Sequence, residues 1–225
     1  MPRKILNPAV VTGFYLFMVA VMLVIFIVFG LRRIPDTAQH EARRLINITS
    51  LQPVSQTVVP RKNGLNTVLI FFRNPNLANT DRLIFSLSQK TGEEIRRIDL
   101  SGRNIGDGVT VRFQFPPVVD SSGRTYILAL QAPDTPPSSP NPLSIGTSVE
   151  DAYPAGRLTS PAGETGDLSF QLFYSPLDKR ELTTELGLLF WSRLVSLRLL
   201  LIFALAFLFS VRFLQFCIPQ TPGDR

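Results

Sequence analysis

Residues 109–115 have the sequence VTVRFQF, in which Val and Phe alternate with Thr, Arg and Gln. Successive side chains of a β-strand point to opposite faces, so this alternation predicts a strand with one buried face and one face in water. Residues 168–172 have the sequence LSFQL and repeat the same period. A chain with several such segments is expected to form antiparallel β-structure.

Further short apolar or alternating runs lie on both sides of this segment, separated by clusters of Gly, Pro, Asn and Asp that favour turns. Residues 134–142 contain four prolines and are predicted to form an exposed loop. We predict an all-β sandwich, a jelly roll of about eight strands, at residues 50–176. The predicted strands are 57–59, 65–73, 82–88, 95–100, 109–115, 125–132, 143–147 and 168–172.

Two apolar segments flank this predicted domain. Residues 9–29 contain no charged residue, and their length matches the roughly 20 residues that a spanning helix needs. The alternative, a cleaved signal peptide, usually has an apolar region of only about 7 to 15 residues. The second segment, at residues 194–216, carries arginines near its ends, where they can reach the interface. A helix lying flat in the interface is its alternative. The sequence therefore predicts transmembrane helices at 9–31 and 194–216.

The charge distribution favours the same interpretation. The net charge is +6, but residues 33–185 contain equal numbers of basic and acidic residues, so the excess lies in or beside the apolar segments. This distribution is typical of membrane proteins, and it disfavours a nucleic-acid partner. The expected membrane-interface anchors are Arg32, Arg33, Trp191, Arg198 and Arg212.

We therefore expect a two-span protein of the cell membrane whose β-domain lies outside the cytoplasm. The orientation follows from the Lys and Arg residues on the terminal sides of the two spans. The other segments are predicted to be a cytoplasmic N-terminus at 1–8, a stalk or short amphipathic helix at 32–49, a linker and interfacial segment at 177–193, and a cytoplasmic tail at 217–225.

Six short strings follow one another along the predicted domain. They are QTVVP, RFQFPP, DSSGRTY, APD, EDAYPAG and GDLSFQLFY, at residues 56–60, 112–117, 120–126, 132–134, 150–156 and 166–174. In this order they resemble an extracytoplasmic jelly-roll module found with bacterial multi-pass glycosyltransferases and envelope polysaccharide proteins. The resemblance implies a sandwich similar to a carbohydrate-binding module. The multi-pass catalytic portion of those proteins has no counterpart here, so transferase activity is not expected.

Residues with catalytic chemistry are few. An enzyme needs a nucleophile, a base or a metal with partners in reach. His40 is the single histidine and falls in the predicted stalk, while Cys217 is the single cysteine and falls at the end of the second predicted span. We therefore predict no catalytic residue and no enzymatic activity.

The turn around Tyr153 is the predicted ligand-binding site. Tyr153 can stack on a sugar ring, while Glu150, Asp151 and Arg157 can form hydrogen bonds with its hydroxyl groups. A purely structural turn is the alternative. Asp120, Glu150 and Asp151 could also supply oxygen ligands to a Ca²⁺ ion, although they lack the spacing of a known calcium loop. No other cofactor is expected.

The predicted function is recognition by a non-enzymatic, membrane-anchored protein. Its exported sandwich would bind or position cell-envelope glycans, or a glycan-handling partner such as a membrane glycosyltransferase. The expected partners are thus the lipid bilayer and envelope polysaccharide. One alternative is a structural or accessory subunit of a membrane complex that binds no sugar. Another is a polysaccharide chain-length regulator, which the β-pattern disfavours because long helices are expected outside the membrane in that class.

Overall fold

The computed structural model describes residues 34–161, 163 and 165–194, together with Thr12, Tyr15 and Val19. The chain divides into two compact units, one of which is Arg33–Leu177. The described part of this unit contains eleven β-strands, and all of their pairings are antiparallel. The strands are β1 (Ile34–Gln39), β2 (Arg44–Ile48), β3 (Val54–Val58), β4 (Leu65–Arg73), β5 (Arg82–Gln89), β6 (Glu94–Ser101), β7 (Val109–Val118), β8 (Tyr126–Gln131), β9 (Leu143–Thr147), β10 (Leu158–Thr159) and β11 (Phe170–Tyr174).

The strands form two sheets. The first sheet has the order β1-β11-β4-β9-β2, with β7 also paired to β4, and the second has the order β10-β3-β8-β5-β6. The predicted all-β sandwich is therefore confirmed.

The eight consecutive strands from β2 through β9 form nested pairs. Strand β5 pairs with β6, β4 with β7, β3 with β8, and β2 with β9. Successive pairs lie in alternate sheets, since β5–β6 and β3–β8 belong to the second sheet and β4–β7 and β2–β9 belong to the first. This is the connectivity of an eight-stranded jelly roll. Strands β1, β10 and β11 are added to this frame.

The core lies between the two sheets and is rich in phenylalanine. Phe85 on β5 stacks on Phe113 on β7, with ring centroids 4.3 Å apart and planes within 11°, and Phe72 on β4 packs against Phe113 at 6.2 Å. All three side chains are buried. Phe113 belongs to the alternating stretch that predicted β7, and its neighbours Arg112 and Gln114 are exposed.

Residues 34–48 differ from the sequence expectation. The predicted stalk at 32–49 contains β1 and β2, which pair with β11 and β9 in the first sheet. The buried positions of β1 include the polar residues Thr37 and Gln39. Strand β1 therefore lacks the alternation of apolar and polar residues by which a strand is recognised in a sequence. The domain therefore begins upstream of the predicted residue 50.

The flanking transmembrane helices were wrongly predicted. Among the described residues, no helix is long and apolar enough to cross a membrane. The helix α1 (Lys179–Leu194) has 16 residues and begins with charged side chains, so at 1.5 Å per residue it is shorter than the hydrocarbon core. The predicted two-span membrane location is corrected by the same finding. Residues 9–31 and 194–216 lie outside the described residues, apart from Thr12, Tyr15, Val19 and Leu194.

The membrane-interface anchors stay a prediction. Trp191 lies in α1. Arg32, Arg33, Arg198 and Arg212 are outside the described residues.

Candidate functional site

A surface groove of about 580 Å³ lies beside the short strand β10. Its walls come from β10 and from the loops that precede and follow it, at residues 148–157 and 160–169. Strand β10 is positioned by its pairing with β3. The lining residues are Asp151, Gly156, Arg157, Leu158, Thr159, Ser160, Gly163, Thr165, Gly166 and Asp167.

The fully buried carboxylate of Asp167 holds one wall of this groove in place. One carboxylate oxygen, Oδ2, accepts hydrogen bonds from the backbone N–H groups of Ala152 at 2.9 Å and Tyr153 at 2.8 Å. The other, Oδ1, accepts a hydrogen bond from Nε2 of Gln56 at 3.0 Å. Three donors thus compensate the cost of burying the charge. The loop before β10 is therefore fixed to the loop after it.

Two further side chains reinforce this junction. The Ser148 hydroxyl accepts a hydrogen bond from the backbone N–H of Asp167 at 2.8 Å and donates one to the Glu150 carbonyl at 2.6 Å. The Gln56 amide oxygen accepts a hydrogen bond from the backbone N–H of Leu168 at 3.0 Å. Both loops are therefore tied to each other and to β3 through buried polar groups, which makes the groove pre-organised.

Glycine permits the closest backbone approach in the wall. A Cβ atom at Gly156 would overlap the carbonyl oxygen of Thr57 on β3 and would lie 2.7 Å from the Tyr153 ring. A backbone hydrogen bond joins the same two segments, since the Thr57 N–H donates to the Arg157 carbonyl at 3.0 Å. Only a residue without a side chain can therefore occupy position 156 in this geometry.

The structure separates the four residues of the predicted ligand site. Asp151 and Arg157 both line the groove and are exposed. Glu150 is exposed on the same loop but is not among the lining residues. Tyr153 does not line the groove and is buried, with only 6% of its surface exposed. The structure therefore brings Asp151 and Arg157 together at the groove and places Tyr153 in the core.

The contacts of Tyr153 are those of a structural residue. Its hydroxyl oxygen accepts a hydrogen bond from the Val59 N–H at 2.9 Å, and its ring meets that of Phe170 edge-on, with centroids 5.2 Å apart. Burial raises the pKa of the Tyr153 phenol above its usual value, although the Val59 hydrogen bond acts in the opposite direction. The phenol is therefore a neutral anchor for the loop.

Four exposed side chains supply hydrogen-bonding groups to the groove. Arg157 offers a guanidinium, Asp151 a carboxylate, and Thr159 and Thr165 hydroxyl groups. Among the described residues, the Arg157 guanidinium and the Asp151 carboxylate form no ion pair. Both groups are thus free to form charge-assisted hydrogen bonds with the hydroxyl groups of a ligand.

No metal-binding cluster is seen in the part of the chain that the structure describes. Groups of three or more His, Cys, Asp or Glu side chains suited to a metal ion are absent there. Asp120 lies in the turn after β7, where its carboxylate is 3.9 Å from the Arg124 guanidinium. The structure therefore does not gather Asp120 with Glu150 and Asp151 into one cluster.

Four polar lining residues were not identified from the sequence. They are Thr159, Ser160, Thr165 and Asp167. The Gly166-Asp167 pair is a turn signal, but a turn Asp is ordinarily exposed. Its burial here depends on Gln56, which is 111 residues away in sequence. Only the three-dimensional arrangement reveals that contact.

The fold and the site together define a two-sheet antiparallel sandwich with a surface groove that carries exposed polar side chains. No family model matches the chain, and no curated protein matches it. Among solved structures, it is similar to the arabinose-bound α-L-arabinofuranosidase MgGH51, at 9% sequence identity and a TM-score of 0.29. The similarity covers 58% of this chain and 23% of that enzyme, and at this level it says nothing about activity.

Proposed function

We propose that this sandwich is a non-catalytic glycan-recognition module that binds a saccharide in the groove beside β10. The observation that supports the proposal is a pre-organised groove whose exposed lining includes a guanidinium, a carboxylate and two threonine hydroxyls. Saccharides present many hydroxyl groups, and each of these protein groups can donate to or accept from them. Aromatic stacking has no place in this mode of binding, because none of the lining residues that the structure describes is aromatic.

The rigidity of the groove also supports recognition. Ordering a loop when a ligand binds opposes binding, so a site that is already ordered loses less entropy. Here the buried Asp167 carboxylate and the Ser148 hydroxyl fix both walls before any ligand arrives. A polar ligand can therefore be bound through a small number of hydrogen bonds.

Calorimetric titration of the full chain with bacterial envelope polysaccharides, and with unrelated glycans, tests this proposal. Arg157→Ala and Asp151→Ala should each weaken binding by about 10- to 150-fold, because a hydrogen bond to a charged group contributes about 1.5–3 kcal/mol. Arg112→Ala is the matched control, since Arg112 is an exposed arginine on β7 outside the groove. It should leave binding unchanged.

Tyr153→Phe tests whether the Tyr153 hydroxyl takes part in ligand binding. This variant keeps the ring in the core and removes only the hydroxyl, so the measured affinity should stay within about twofold of the unmodified chain. Failure of the folded full chain to bind any glycan would contradict the proposal and would favour a protein partner.

A further inference from the structure

The outer edge of β6 is the longest uninterrupted strand edge in the described sheets. Strand β6 has eight residues and contains neither Pro nor Gly. At the other edges, β10 has two residues and β2 has five, while β1 contains Pro35, and β7 contains Pro116 and Pro117. Proline removes a donor from an edge and blunts it, whereas an intact edge is a template for pairing with another strand.

The hydrogen bonds of the β5–β6 hairpin show which residues direct their backbone groups outward. The Gly102 N–H donates to the Asp81 carbonyl at 2.7 Å. Alternate residues of an antiparallel pair exchange such bonds, so every second residue before Gly102 is bonded to β5. Arg97 and Asp99 lie between those positions, and their N–H and C=O groups therefore point to the open edge.

The side chains of β6 follow the same alternation. Ile98 and Leu100 pack against the core between the sheets. Arg97 and Asp99 lie on the solvent face, where 48% and 46% of their side-chain surfaces are exposed. Within one copy their charged groups are 3.4 Å apart, and an ion pair with this exposure contributes little to stability. Arg97 also lies 3.6 Å from Glu94, and Asp99 lies 3.7 Å from Arg82, in pairs that are equally exposed. Both charges thus remain available to a neighbouring strand.

We propose that β6 pairs antiparallel with β6 of a second copy of this chain, around a two-fold axis at Ile98. Each Arg97 then lies opposite Asp99 of the other copy, because both residues are one position from the axis. The outward backbone groups of Arg97 and Asp99 form the ladder hydrogen bonds, and the two ion pairs lie across it. The two five-stranded sheets become one continuous sheet.

Charge complementarity favours this register over those with the axis at Arg97 or at Asp99. An axis at Arg97 places Arg97 opposite its own copy, and an axis at Asp99 places Asp99 opposite its own copy. Like charges that lie directly opposite destabilise a strand pair, whereas opposite charges stabilise it. The charges that normally protect an edge from pairing therefore become attractive in one arrangement of two identical strands.

Sedimentation velocity of the full chain over a range of concentrations tests the dimer. Arg97→Glu and Asp99→Arg each place like charges opposite one another twice, and each should raise the dimer dissociation constant about tenfold. The double variant R97E/D99R exchanges the two charges and should restore dimerisation to within about twofold. Arg112→Glu, which makes the same charge change on exposed β7, should have no effect.

Three results would overturn the proposal. They are a chain that stays monomeric up to its solubility limit, single variants that dimerise like the unmodified chain, and a double variant that remains as weak as the single ones. Circular dichroism establishes that each variant is folded, so a loss of dimer by unfolding is recognised.

A cross-link tests the position of the axis independently. In the proposed register the two Ile98 residues form the central non-hydrogen-bonded pair, whose Cα atoms lie about 4.5 Å apart, within the range of a disulfide. In a Cys217→Ser background, Ile98→Cys should form a disulfide-linked dimer under mild oxidation. Arg112→Cys in the same background should not. Absence of the Ile98→Cys cross-link in a chain that dimerises would refute the register.

Discussion

The Nε2 atom of Gln56 donates a hydrogen bond of 3.0 Å to Oδ1 of Asp167, and both side chains are fully buried. The bond connects β3 in the second sheet to the loop that leads into β11 in the first. Since the same carboxylate accepts two backbone N–H groups of the loop before β10, this junction supports the proposed glycan site.

Replacing Asp167 should therefore destabilise the sandwich. Asp167→Asn places an amide NH₂ group against at least one donor, so a buried donor loses its acceptor at a cost of about 2–3 kcal/mol. Urea unfolding of the full chain measures this loss. Asp120→Asn is the control, because Asp120 is exposed and its ion pair with Arg124 is long; it should change stability by less than about 0.5 kcal/mol. Equal effects of the two substitutions would refute the role given to Asp167.

Replacing Gly156 should be costly for a steric reason. Gly156→Ala drives a Cβ atom into the Thr57 carbonyl of β3, and we expect a loss of about 2–3 kcal/mol, typical of overpacking against atoms that cannot move. Gly187→Ala is the matched control in α1, where an added Cβ meets no atom within 4 Å. That substitution should be neutral or stabilising by up to about 1 kcal/mol. Thermal unfolding of both variants makes the comparison, and a tolerated Gly156→Ala would contradict the observed wall geometry.

Leu77 is a strained and exposed residue whose replacement should stabilise the protein. It has a φ of +54° and an exposure of 56%, in the short turn after β4. A left-handed conformation costs a branched apolar residue about 1–2 kcal/mol, whereas Asn tolerates it. Leu77→Asn should therefore raise the unfolding free energy by about 0.5–1 kcal/mol. Leu51→Asn, at an exposed position without positive φ, should have no such effect.

Stability should fall in alkaline solution because of buried phenols. Burial raises the pKa values of Tyr126 and Tyr153 in the folded chain. Unfolding releases them to ionise near the ordinary value of about 10. Their contribution is thus fully present below about pH 10 and is lost as the pH rises through the folded pKa.

Tyr153→Phe isolates one of these phenols. The variant should be about 1 kcal/mol less stable at pH 7, because the Val59 N–H loses its acceptor. Its unfolding free energy should then fall less steeply than that of the unmodified chain between about pH 10 and 12. Parallel curves for the two proteins would exclude a contribution of Tyr153 to the pH dependence.

The sequence predicted strands best where one face of the strand is exposed to solvent. The alternation at 109–115 marked β7 because Arg112 and Gln114 face water while Phe113 faces the core. Strand β9 was located with its observed bounds although all five residues are buried, because turn residues enclose its short apolar run. These signals are local, so a single sequence displays them.

The first two strands were missed because their pairing partners are distant. Strand β1 contains Pro35 and buries Thr37 and Gln39, a composition that does not distinguish a strand from a stalk. It is held by β11, which lies at the other end of the domain. At the groove, Asp151 and Arg157 were identified from a charged turn, whereas the buried role of Asp167 depends on a remote glutamine.

The nested pairing of the sandwich also leads us to expect one order of assembly. The β5–β6 hairpin joins neighbouring segments, so its closure costs the least chain entropy, and each outer pair then closes a longer loop. Strands β2 and β1 come last, because their partners β9 and β11 lie near the end of the domain. During synthesis, which proceeds from the N-terminus, the first two strands to be made must therefore wait for the last ones. Until then we expect them to be unpaired β-segments, and we expect this stage of folding to be slow and sensitive to aggregation.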